Sequence, residues 1–317
     1  MKKALRIVSF LLAILTALAF SACDSDGGAK YEVGICQLVD HTAHAEATKG
    51  FVDALNAELG EENISYDIQS AQNDISICSA IINQFVSNDV DLIVANATAV
   101  LQAATSATST IPILGTSITE YGVALEIEDF NGTVGGNVSG TSDLAPLDEQ
   151  AAMIKEWAPE AETVALLYCS AEANSQYQVD VVKAEVENLG MSAKLYPFAD
   201  SMELSAVCQA AADECDVIYV PTDNTVASNA GIIDNICRPM KKIVIAGEEG
   251  TYCGAAALSI SYYDMGYTTG KMAAKILRGE ADISEMPIEY TKAAKKYNKE
   301  LCDELGLTVP DGYEPID

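Results

Sequence analysis

Asp91-Leu92-Ile93-Val94-Ala95 and Asp216-Val217-Ile218-Tyr219-Val220 decide the fold of this 317-residue chain. Each is an acid followed by four apolar residues rich in β-branching. That run is too short for a helix and apolar on both faces, as a buried parallel strand requires. The two stand 125 residues apart, and their surroundings correspond. Ahead of the first lie a strand at 32–38, a helical stretch with Phe51, Leu55 and Leu59 stopped by Gly60, and a strand at 64–68. A helix face marked by Ile77, Ile81 and Phe85 follows, and a strand at 111–114 comes after the quoted run. Around the second run lie a strand at 163–168, a helix opened by Asn174 or Ser175 and ending at Leu189-Gly190, and strands at 193–196 and 242–246. Leu59-Gly60 and Leu189-Gly190 are 130 apart. A duplicated unit of alternating strands and helices gives parallel sheets with helices on both faces. The expected fold class is α/β, with two doubly wound parallel-sheet lobes and a cleft between them.

Composition narrows the function. Apolar residues make up 49% of the chain, enough for real cores, and 18 Lys+Arg face 47 Asp+Glu, a net charge of −29. Such a surface repels nucleic acid and anionic membrane faces. The N-terminus reads as an address. Lys2, Lys3 and Arg6 precede an uncharged apolar run of 14 residues at 7–20, short of the roughly 20 a spanning helix needs. Ser21-Ala22 then precede Cys23, the pattern of a secretory signal with a lipoprotein cleavage site. Cys23 would carry the lipid, with 24–30 as a polar tether; the alternative is an ordinary cleaved signal in which Cys23 is incidental. Removing the leader leaves 15 basic against 47 acidic residues.

Eight further cysteines show no CxxC or Cys/His metal spacing, so scattered buried thiols are expected and no metal. The only histidines, His41 and His44, fall beside Asp40, where a loop surface outweighs a metal site.

In open parallel sheets the loops after strand C-termini line the ligand crevice. Here those loops are 37–44, 96–98 and 115–119 in the first lobe and 169–175, 221–225 and 247–251 in the second. They offer Gln37, Thr98, Ser117 and Thr119, then Ser170, Asn174, Ser175, Asp223, Asn224 and Glu248. There is no GxSxG, no HExxH and no phosphate loop, because the glycines at 132, 135, 136 and 140 lack a following Lys and read as a crossover between lobes. Glu248-Glu249 can suggest acid/base work, but no second acid stands at a readable spacing. The cleft reads as a binding site, without enzyme activity or cofactor.

The ligand's charge follows from what the loops lack. Beyond the leader the chain has two arginines, Arg238 and Arg278, both at helix ends outside the cleft loops. A ligand carboxylate would therefore rest on helix N-terminal N–H groups and on hydroxyls such as Thr98, Ser117, Thr119 and Ser175. An ammonium would face Asp223 or Glu248/Glu249, and the two ends together fit an amino acid. Asp223 serves equally as a cap for the helix starting at Asn224. Tyr262-Tyr263 either wall the cleft or pack the hinge, and Trp157, ahead of Pro159, reads as packing.

Several stretches then carry a resemblance: 33–41, 49–51, 71–74, 90–93, 136–140, 170–175, 219–225 with Pro221-Thr222-Asp223-Asn224-Thr225 the most specific, and Tyr262-Tyr263 with Gly266. They span nearly the whole chain beyond the leader. The sequence resembles the substrate-binding proteins of ABC importers, in the branch assigned to tryptophan, tyrosine and related amino acids. The resemblance implies a periplasmic-binding-protein-like type I fold with three crossovers and a hinge that closes on ligand. It also implies delivery to an ABC permease and its ATPase. By position, Thr98, Ser117, Thr119, Asn174, Ser175, Asp223 and Asn224 fall where the family contacts ligand. Ala99 follows Thr98 where relatives often have Pro, and Cys36 stands where they often have Ser. The expected lobes are 31–141 plus 262–288 and 142–261 plus 289–317, after a signal at 1–23. The expected function is capture of an amino acid such as tryptophan, tyrosine or phenylalanine by an exported protein lipid-anchored to the cell membrane. A sugar or nucleoside binder of the same kind, or a sensor ectodomain, is the alternative.

Overall fold

The computed structural model describes residues 29–316, so the expected leader, Cys23 and most of the tether lie outside the described residues. Thirteen strands fall into two sheets. The first holds β1 (Tyr31–Gln37), β2 (Ile64–Ser70), β3 (Leu92–Asn96), β4 (Ile113–Ile118), β5 (Val138–Ser142) and β11 (Glu289–Tyr290), in the order β11-β5-β4-β3-β1-β2 with every pair parallel. The second holds β6 (Thr163–Cys169), β7 (Ser192–Phe198), β8 (Val217–Val220), β9 (Ile243–Ala246), β10 (Ala256–Ile260), β12 (Ala293–Tyr297) and β13 (Glu314–Pro315). Its order is β13-β12-β10-β9-β8-β6-β7, and only β10 and β12 run antiparallel. The quoted runs form β3 and β8, each one place from the strand that opens its lobe. The order β4-β3-β1-β2 is repeated as β9-β8-β6-β7. The chain is α/β with two doubly wound parallel-sheet lobes.

The helices of the first lobe are α1 (Thr42–Leu59), α2 (Ile75–Ser87), α3 (Thr98–Ala107) and the short α4 (Tyr121–Ala124). Those of the second are α5 (Leu147–Trp157), α6 (Ala173–Asn188), α7 (Ser201–Glu214), α8 (Asn224–Ser228), α9 (Ala230–Cys237) and α11 (Lys299–Leu305). The remaining helix, α10 (Tyr262–Leu277), follows β10 yet lies along α1. The two backbones touch: a Cβ on Gly266 would sit 1.9 Å from the Ala47 carbonyl oxygen, and one on Gly50 2.1 Å from that of Tyr263. Strands β3, β5, β8 and β10 are buried along their whole length, so each sheet carries apolar clusters on both faces.

The chain passes between the sheets three times: at 143–146 from β5 to α5, at Ser261 from β10 to α10, and at 291–292 from β11 to β12. The glycine stretch read as a crossover stands just before and within β5, and the passage itself begins at Asp143. All eight cysteines of the described residues are buried free thiols. Trp157 packs edge-on against Tyr313 with ring centroids 5.2 Å apart. No helix of the described residues is long and apolar enough to cross a membrane.

Candidate functional site

Two adjoining cavities lie where the C-terminal ends of the two sheets face each other. The larger, about 420 Å³, is walled by Leu38, Ile75, Thr98 and Ala99 from the first lobe and by Ala171, Ala173 and Ala199 from the second, with amides of Gln72, Asn73, Gln102, Asn174 and Asn224 around it. The smaller, about 10 Å³, has room for one water and is lined by His41, His44, Ser117, Thr119, Asp143, Asn174, Thr222, Asp223, Asn224, Glu248 and Tyr262. Asn174 and Asn224 belong to both.

The small cavity is acidic and holds no cation. Asp143, Asp223 and Glu248 are each almost wholly buried, and among the described residues no Lys or Arg lines either cavity. The arginines are engaged elsewhere, Arg238 with Asp234 and Glu304, and Arg278 with Glu58 and Glu280. Burial therefore acts on the acids with no Lys or Arg beside them to offset it. It pushes Asp143 up to about 7, with the neighbouring Glu248 charge adding and the hydroxyls of Thr119 and Tyr262 opposing. It pushes Glu248 up to about 7 as well, against the hydroxyls of Tyr262 and Thr251. Asp223 is raised well above the usual carboxylate range by burial, with the Glu172 charge adding. The Tyr262 hydroxyl lies 2.7 Å from Glu248 Oε2 and 3.2 Å from Asp143 Oδ2. A phenol has one proton, so these two contacts share it unless one acid is protonated.

Two polar atoms of this wall are left over: Ser117 Oγ and Asp143 Oδ1 are buried without a hydrogen-bond partner. Ser117 also holds a left-handed backbone, φ +55°, at a register break in β4, and Ala97 at the end of β3 has φ +115°. Strain kept in non-glycine residues at strand ends, beside unpaired polar atoms, marks a surface shaped for something other than packing.

The sequence candidates distribute unevenly. Ser117, Thr119, Asn174, Asp223, Asn224 and Glu248 come together in the small cavity, and Thr98 joins Asn174 and Asn224 at the larger one. Ser175 is fully buried behind them, beside Asn174 and Asp223. Three others line neither cavity. Gln37 accepts from Thr48 Oγ1 at 2.5 Å, Ser170 donates to the Phe198 carbonyl at 3.1 Å, and Tyr263 turns outward to Asp53 at 2.9 Å. Asp223 acts as the cap foreseen for it: Oδ1 accepts from Val226 N at 2.8 Å, and Oδ2 accepts from Cys169 N at 2.7 Å. The histidines are not on a loop surface. α1 starts at Thr42, so His41 is its N-cap residue and His44 lies in its first turn, 2% exposed, with Nδ1 beside the Val39 carbonyl and its ring against His41. Burial lowers the pKa of both. Among the described residues no group of three or more acids, histidines or cysteines is placed to hold a metal ion.

Sequence reasoning missed Asp143, chose Tyr263 of the Tyr262-Tyr263 pair where Tyr262 lines the cavity, and read the two histidines as loop surface. The signal for Asp143 was its place at the end of a strand, in the loop position from which the other candidates were drawn.

Comparison with known proteins identifies the family. A family model described as ABC transporter substrate binding protein matches residues 32–313. The chain is 32% identical over 309 residues to a "Tyrosine-binding protein" of Clostridioides difficile (strain R20291), covering 91% of this chain and 88% of that one. It superposes with a TM-score of 0.86 on a Streptococcus pneumonia ABC domain in complex with L-Trp, 30% identical, covering 91% of this chain and all of the other. A ligand-free, open substrate-binding protein with adhesive properties from Clostridium difficile is 35% identical, with 90% and 99% covered, yet gives a TM-score of 0.70. The chain superposes better on the ligand-bound relative than on the open one. The chain belongs to the substrate-binding proteins of ABC transporters.

Proposed function

We propose that this chain captures an aromatic amino acid between its lobes and delivers it to the permease of an ABC importer from the outer side of the cell membrane. The observation that carries the reading is the cation-free acidic cavity with its two unpaired polar atoms. An ammonium group there meets Asp143, Glu248 and Asp223. Its carboxylate has the Ser117 and Thr119 hydroxyls and the start of α1, whose N-cap His41 makes no side-chain cap bond. The larger chamber combines apolar walls with amides and with the acids Glu172 and Asp200, and suits a ring with a polar tip. The tyrosine and tryptophan named for the two relatives are of that class. In this reading the lobes are 31–141 plus 262–288 and 142–261 plus 289–317, except that Ser142 and Glu289–Tyr290 pair within the first sheet, and the three passages between the sheets act as the hinge. Because the small cavity as it stands takes only a water, the ligand enters with the lobes apart, and they close around it less tightly than they stand here.

The test is native mass spectrometry of gently purified protein, followed by calorimetric titration with tryptophan, tyrosine, phenylalanine, glucose and inosine. Submicromolar binding of an aromatic amino acid is expected. Tight binding of glucose or inosine alone would refute the reading. Metabolic labelling with palmitate, lost in Cys23→Ala, tests the anchor.

A further inference from the structure

Glu172 is the N-cap residue of α6 but makes no side-chain cap bond to its own helix. Its carboxylate is turned to α8 instead. Oε1 accepts from Thr225 N at 2.9 Å and Thr225 Oγ1 at 2.8 Å, and Oε2 accepts from Asn224 N at 3.0 Å and Asn224 Nδ2 at 2.7 Å. A carboxylate offers about four lone-pair sites, so these contacts fill it, with Asn174 Nδ2 of its own helix more distant at 3.5 Å from Oε2.

The arrangement fixes the hydrogen-bonding sense of both residues. A threonine hydroxyl has one proton; once it is given to Glu172, Oγ1 can only accept from elsewhere. In the opposite lobe, Asn73 Nδ2 lies 3.5 Å from that oxygen, in donor position. With the Asn224 amide nitrogen engaged, its carbonyl end remains as an acceptor, and the side chain shares the small cavity with His41 and His44 at the start of α1, again across the cleft. The turn that carries Asn73 is strained: Gln72 and Asn73 are consecutive left-handed residues, φ +52° and +61°. Strain of this kind persists where surrounding contacts hold it.

We infer that Glu172 is a positioning residue for lobe closure: it holds Asn224 and Thr225 as acceptors for His41 and Asn73 across the cleft, and so sets how long the closed form lasts. The inference rests on the reading that the lobes close on a ligand. The Glu172 carboxylate edges the larger cavity, but the role inferred for it acts through Asn224 and Thr225.

The experiment is a double-mutant cycle on the dissociation rate of tryptophan. Glu172→Gln places an amide N–H₂ against the donors of Asn224 and frees its side chain to turn. About tenfold faster release is expected, the scale of one charge-assisted hydrogen bond. Asn73→Ala alone speeds release, and in the Glu172→Gln background it adds little, because the contact is already lost. Equal Asn73→Ala effects in both backgrounds would make Glu172 a helix cap only and overturn the inference. Should Glu172→Gln fold poorly, Thr225→Val removes only the hydroxyl and must show the same non-additivity with Asn73→Ala. X-ray scattering of ligand-free protein at pH 5, where Asp143 and Glu248 keep their protons, separates this inference from the functional reading. If wild type binds no amino acid but Glu172→Gln is more extended, the functional reading fails and the positioning role stands; identical profiles refute the role.

Discussion

Replacing Asp143 by asparagine should make the ligand-free protein more stable and a weaker binder. The ordinary pKa of the side chain is 3.8, and burial moves it to about 7 in the closed fold. Three units correspond to about 4 kcal/mol between its two protonation states. The group is wholly buried, so solvent gives no relief. The folded chain holds this proton more tightly than the unfolded one. The stability it contributes is complete below pH 3.8, declines as pH rises, and is gone above about 7. Asparagine keeps the shape of the neutral acid at every pH. The gain of Asp143→Asn over wild type should therefore be larger at pH 8 than at pH 5, by at most about 2–3 kcal/mol, since any opening of the lobes lets water reach the acid. Glu248, relieved of a like charge, shifts the result in the same direction. Urea melts of ligand-free protein at the two pH values measure this difference. In parallel, tryptophan affinity should fall ten- to a hundredfold, the worth of one charged hydrogen-bond partner. A variant less stable than wild type at pH 8, or one with unchanged affinity, refutes the argument that this acid stands ionised and uncompensated until a cation arrives.

Other expectations follow from the same geometry. Ammonium binding should displace a proton from the Asp143–Tyr262–Glu248 group, so affinity rises as pH goes from 5 to 8; the apparent binding enthalpy near pH 6.5 should differ between phosphate and Tris buffers. Asp223→Ala should lower amino-acid affinity far more than Trp157→Ala, since Trp157 packs against Tyr313 at a distance from both cavities; calorimetric titration of the two variants decides it, although Trp157→Ala costs roughly 3–5 kcal/mol of stability. Gly266→Ala forces a methyl group within 1.9 Å of the Ala47 carbonyl oxygen, so α1 and α10 must separate; a loss of about 2 kcal/mol or more is expected in thermal melts, and an unchanged melting temperature contradicts the close packing.

The sheets were readable because the acid-plus-apolar runs at 91–95 and 216–220 name a buried strand by composition alone, and their repetition names the second lobe. The cleft loops follow from strand direction, which is why Ser117, Asp223 and Glu248 were found. Asp143 escaped because it is one acid among 47, and its neighbours in space are contributed by other passages of the hinge. The Tyr262/Tyr263 ambiguity is one of helical phase: successive residues at the start of α10 point about 100° apart, so one faces Glu248 and the other Asp53. His41 and His44 were misplaced because nothing at position 41 resembles a usual cap, yet the helix begins there. Glu172 was not singled out in its loop; its bonds to α8 depend on where α8 sits relative to α6, a tertiary fact.

The acids also explain why closure should require the right ligand. In the closed form the ionised Asp143 is disfavoured by about 4 kcal/mol and the ionised Glu248, moved from 4.5 to about 7, by about 3 kcal/mol. Either figure alone biases an equilibrium by more than a hundredfold, so at pH 8 the ligand-free protein should favour open lobes, where water reaches these carboxylates. A ligand closes the protein only if it interacts better with the closed state. An ammonium does so by removing the electrostatic penalty; a neutral polyol of equal size fills space and leaves the penalty in place. Tryptophan, tryptamine and indole-3-propionate share a ring and differ in which charges they carry. At pH 8 and saturating concentration, tryptophan and tryptamine should reduce the radius of gyration while indole-3-propionate leaves it unchanged. Lowering the pH to 5 should narrow the difference, because protons then do what the ammonium does. If indole-3-propionate compacts the protein at pH 8 as well as tryptophan does, charge compensation is not what drives the lobes together.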